Sequence, residues 1–187
     1  MIVDLPPSII QLERPAIIRP FAAVCPFLPY LPRRKVLTET LYDRTTGTNI
    51  GDMTATGGLA ASFDGNTSQS NAQCSVRSNL SNGFVGKTMG ASAPISKIVV
   101  RSTNNIGFTN TGNVTIQLYA KTSAPSSGTD GTLLGTNAIG SGGSNSTDYT
   151  VTSSDTTTSY SNVWAYITSS GGSADIYCAE LSIYVMA

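Results

Sequence analysis

Beyond residue 62, no stretch longer than a turn or two carries apolar residues at helical spacing. What recurs is a short run in which apolar and polar residues alternate, closed by Gly, Ser, Thr and Asn. The sharpest example is residues 113–120, NVTIQLYA, with Val114, Ile116 and Leu118 on one face. Residues 74–77, 95–101, 133–139, 148–151, 160–167 and 176–186 read the same way, while 123–131, 140–147 and 169–173 are turn-rich loops. A period of two with β-branched and aromatic residues specifies strands. Six to eight short strands over roughly 125 residues specify an all-β chain, a β-sandwich of the jelly-roll kind. The expected inward residues are Ile98, Val100, Ile116, Leu118, Trp164, Tyr166, Ile176, Leu181 and Ile183.

The first 36 residues obey another rule. Seven of the nine prolines fall here, with apolar pairs and triplets between them. Each proline removes an N–H and pushes its predecessor toward extended backbone, so long helices and central strands are both excluded. The expectation is an extended arm, too apolar for a solvated linker. Its Ile9, Ile10, Ile17, Ile18, Phe21, Phe27 and Leu28 are the candidate contacts with a partner protein. The expected division is an arm over 1–36, a lead-in over 37–54, where 38–42 is a short strand or the start of a loop, and a sandwich over 55–187.

Charge excludes several functions. Eleven basic and eleven acidic residues cancel, and only 12% of the chain is charged, about half the usual share. Nothing in that balance attracts nucleic acid. No apolar run approaches the roughly 18 residues that cross a bilayer, and the first residues do not read as a signal peptide. The chain has no histidine, which removes the commonest general base and every Ser-His or Cys-His pair. No G-x-S-x-G or phosphate-binding loop occurs. The expectation is a non-enzymatic protein with no catalytic residues. No heptad pattern specifies an oligomer, so a homo-oligomer is left open. Three cysteines, Cys25, Cys74 and Cys178, leave two readings: three free thiols, or a Cys74–Cys178 bridge with Cys25 over.

Glu180 sits in the middle of the apolar closing run, where a bare charge is costly. Either it is exposed at a sheet edge, or something pairs with it.

Four segments in order resemble the galactose-binding-like jelly roll of discoidin domains and family 32 carbohydrate-binding modules. They are 57–68 (GGLAASFDGNTS), 95–100 (ISKIVV), 114–120 followed by 131–135 (VTIQLYA, GTLLG), and 179–184 (AELSIY). The resemblance covers residues 55–187. It implies a structural Ca²⁺ between the Asp-Gly turn and the closing glutamate, with Asp64, Asn66, Thr67, Ser68 and Glu180 as ligands and carbonyls near Ser62 and Ala179 completing the shell. The chain departs from the family in having Asn66 where a second acid is usual, and Gln69-Ser70-Asn71 where a Trp is usual. The resemblance also implies glycan binding through exposed aromatics and an Arg; Arg77, Arg101, Tyr149 and Tyr160 are the candidates. Residues 5–10 and 14–20 resemble proline-rich leaders of tailed-bacteriophage structural proteins. That likeness implies a structural protein of a virion, a head decoration, fibre or tail-associated protein released by lysis. Its arm would bind other virion proteins of the capsid, the portal-tail or the fibre. The alternative is a carbohydrate-binding adhesin.

Overall fold

The computed structural model describes residues 36–172 and 174–187. The expected partner contacts of the leader, and Cys25, lie outside the described residues.

One strand organises the domain. β5 (Asn82–Arg101) runs for 20 residues and serves two sheets. Its first half, Asn82–Thr88, pairs with β2 (Thr48–Gly51) on one side and β9 (Ser159–Ser169) on the other. Beyond β9 come β6 (Asn113–Lys121) and β7 (Thr132–Ser141). Its second half pairs with β11 (Glu180–Met186) and β8 (Asp148–Thr152). β1 (Glu39–Leu41) adds to the far side of β11. The register shifts between Thr88 and Ala93, and there β5 passes from one sheet to the other. A bend of this kind is how sandwich strands turn corners. A small third sheet holds β3 (Ala55–Thr56), β4 (Ser75–Arg77) and β10 (Ile176–Cys178).

The two large sheets bury a common core. Ile98, Val100, Leu181 and Ile183 from one meet Ile116 and Leu118 from the other, and Ile176 joins them, as the alternation predicts. Two expected inward residues face the other way. On β9 it is Val163, Ala165 and Ile167 that enter the core. Trp164 and Tyr166 stand on the opposite face, because neighbours on a strand point to opposite sides. Trp164 is still fully buried, in a satellite cluster with Phe84 and Tyr119. Its ring stacks on Tyr119 at 6.0 Å, and its Nε1 donates to the Gly128 carbonyl at 2.7 Å.

Two further departures have physical causes. Residues 37–54 supply β1, within the 38–42 stretch read as a short strand or the start of a loop, and also β2, which is too brief to read as periodicity. The first half of β5 escaped the pattern because Gly83, Gly86 and Lys87 interrupt it. Lys87 is buried all the same, its ammonium donating to the Thr46 carbonyl at 3.0 Å and lying 4.6 Å over the Phe63 ring. Burial lowers its pKa, against the pull of Asp43.

Cys74 and Cys178 are free thiols. Cys178 stands opposite Ser75, and Tyr177 opposite Val76. Cys178 therefore faces the main core, while Cys74 packs with Val76, Tyr177 and Ala179 on the other side of the small sheet. Cβ vectors on opposite faces cannot close a disulfide. Burial pushes both thiols up to about 12. Iodoacetamide at pH 8 should thus leave both unmodified in the native chain and alkylate both in urea, read by peptide mass. Native alkylation of Cys178 would contradict this packing.

Candidate functional site

Two places gather polar groups. The first is the turn that follows the 3₁₀ segment Leu59–Phe63. Asp64 accepts the Asn66 amide at 2.7 Å through Oδ1, and the Gln69 carboxamide at 2.8 Å through Oδ2. The side chain of Asn66 accepts the Ser68 amide at 3.1 Å. The carbonyls of Thr67 and Ser68 accept Arg101 Nε and Asn104 Nδ2, each at 2.8 Å. Glu180 is buried, which settles the choice against an exposed edge position. Its Oε1 accepts Arg44 Nη1 at 2.9 Å and its Oε2 accepts the Gly65 amide at 3.1 Å. Burial raises the Glu180 pKa, and the Gly65 N–H and Arg44 hold it back.

The fold thus brings Glu180 to the turn of Asp64 as the family resemblance implies. The donor set does not fit Ca²⁺ in this arrangement. The carboxylate oxygens of Asp64 and Glu180 and the Asn66 side-chain oxygen all receive N–H donors, and a guanidinium already sits on Glu180.

The second place is an open cleft of about 720 Å³ on the outer face of the β2–β5–β9 sheet. Asn49, Asp52, Arg77, Asn82, Tyr166 and residues 125–129 are among those that line it. Arg77, at the end of β4, forms an ion pair with Asp52. Asp52 is oriented by accepting the Phe84 amide at 2.8 Å. Tyr166 is half-buried, edge-on to Tyr119 with centroids 6.3 Å apart. Gly128 lies flat against the Tyr166 ring, where an added Cβ would strike it.

Of the four glycan candidates in the sequence, only Arg77 lines this cleft. Arg101 is committed to Asp148, at 2.7 Å, and to the Thr67 carbonyl. Tyr149 packs on Phe108 with centroids 5.3 Å apart, and its hydroxyl accepts the Ser144 amide. Tyr160 is buried in the core. Asp52, Asn49 and Asn82 escaped sequence reading, since nothing local marks a polar residue at a strand end as lining a cleft. Tyr166 carried a signal: it alternates against Val163, Ala165 and Ile167.

No family model matches the chain, and no curated protein matches it by sequence. Solved structures do resemble it. A mutant of the lectin binding domain of lectinolysin, complexed with Lewis b, aligns with a TM-score of 0.56 at 12% identity, over 80% of this chain and all of that one. A fucolectin from striped bass (Morone saxatilis) serum aligns at 0.58 and 12% identity, over 81% of this chain but about half (49%) of its own. The family 32 carbohydrate-binding module of AlyQ, in complex with 4,5-unsaturated mannuronic acid, aligns at 0.53 and 15%, over 77% and 97%. Identities this low establish architecture alone, and the architecture is the all-β jelly-roll sandwich expected from the sequence.

Proposed function

We propose that the domain is a non-enzymatic carbohydrate-binding module whose ligand site is the cleft around Arg77, Asp52 and Tyr166. The carrying observation is an oriented Arg–Asp pair beside an accessible aromatic ring in one open groove. Sugar hydroxyls are both donors and acceptors; a guanidinium supplies donors and a carboxylate acceptors. The ring offers an apolar face to the C–H side of a pyranose, the pairing of apolar surface with a few placed polar groups that small-ligand sites share. Arg77 and Asp52 cancel in charge, so the cleft favours a neutral glycan over an acidic one. The lectin and carbohydrate-binding neighbours support the reading at the level of fold. The virion reading, with its location and protein partners, draws on the leader, outside the described residues.

A glycan array probed with the full chain, R77A and Y166A tests the site. Neutral glycans should be retained by the full chain, and each substitution should weaken the best of them at least tenfold, about 1.4 kcal/mol. Retention unchanged in both variants, or no neutral glycan bound at all, would place the function elsewhere.

A further inference from the structure

We propose that the Arg44 guanidinium occupies the role of a divalent cation in this fold, tying the closing strand to the Asp64 turn so that the domain needs no calcium. The buried Glu180 carboxylate must be compensated, since an unpaired charge in this setting is strongly destabilising. Chain geometry delivers the compensation. β1 runs antiparallel to β11, with Leu41 opposite Tyr184, and the Tyr42 amide then donates to the Ile183 carbonyl at 2.8 Å. Continuing in that direction carries Arg44 to Glu180.

The turn is shaped around that guanidinium. Gly65 has φ +81°, and a Cβ there would come within 2.8 Å of Arg44 Cζ. Its missing side chain is the space the guanidinium fills. Gln69, almost fully buried, completes the substitution. Its Nε2 bridges the Asp64 carboxylate and the Ala61 carbonyl, at 2.8 and 2.9 Å, and so satisfies two oxygens of the turn. Both bonds are made by the donor end of the amide, and Oε1 has no hydrogen-bond partner. Arg44 and Gln69 divide one ion's work, the first neutralising charge and the second satisfying oxygens.

Calorimetric melting of the full chain decides the matter. The Tm should be the same in excess EDTA and in excess CaCl₂. R44A should melt lower by about 5 °C, in the range expected when a partly exposed pair is lost from a chain this size. R44A/E180Q should recover part of that loss, because a neutral amide no longer requires a cation. A wild-type Tm that rises with Ca²⁺ would overturn the proposal. So would R44A melting with the wild type, or E180Q deepening its loss. Should R44A not fold, R44K keeps the charge and takes its place, expected to melt below the wild type and above R44K/E180A.

Discussion

Trp164→Ala should lower the unfolding free energy by about 3–5 kcal/mol, the cost of emptying a large aromatic site that cannot collapse. The indole is fully buried, stacked at 11° on Tyr119 and edge-on to Phe84 at 6.3 Å. Its N–H is the tie to Gly128, in a loop that lines the cleft. Removing it opens a void beneath that loop and strands a carbonyl acceptor. Trp164→Phe separates the two effects: most of the packing stays and the hydrogen bond goes, for a loss of about 1–2 kcal/mol. Urea midpoints followed by far-UV circular dichroism give both numbers, since the only tryptophan cannot serve as the probe in either variant. An alanine variant unfolding at the wild-type midpoint would mean that this second cluster adds nothing to stability.

Gly86→Ala should cost about 3 kcal/mol or more, an overpacking loss at the upper end for a single methyl. Gly86 stands directly opposite Trp164 in the β5–β9 ladder. An added Cβ would overlap the Val163 carbonyl oxygen and the Trp164 Cβ, and lie 2.6 Å from the Trp164 Cα. Two of those three atoms are backbone, so the clash is relieved only by parting the two strands. Gly90→Ala is the matched control. Gly90 lies in the bend of β5 with no neighbouring atom within 4 Å of the new methyl, so its effect should stay within about 0.5 kcal/mol. Similar midpoints for the two variants would show that Gly86 is not there for the close approach of β9.

The two experiments meet at the point where sequence reading faltered. The second half of β5 was plain from ISKIVVR, where Ile98 and Val100 enter the core and Val99 and Arg101 do not. The first half was hidden by Gly83 and Gly86, and the reason for Gly86 lies on another strand. Trp164 misled in a related way. A lone tryptophan in a strand pattern invites placement in the main core, yet the smaller Val163 and Ala165 fill that side while the indole builds its own cluster across the sheet. The candidate site divides likewise. Arg77 was named from its residue type, but Asp52, 25 residues before it, becomes its partner only once β3, just after Asp52, pairs with β4.

Alternation and punctuation along the chain determined its all-β class, the inward face of most strands and, through the order of four motifs, the jelly-roll architecture. A period of two is a property of neighbours, so it survives without a fold to read it from. Tertiary structure alone decided what compensates Glu180, why Cys74 and Cys178 stay apart, and which polar residues line the cleft. Arg44 precedes Glu180 by 136 residues. No local pattern encodes a partner that far away, because it becomes one only when the pairing of β1 with β11 closes the intervening loop.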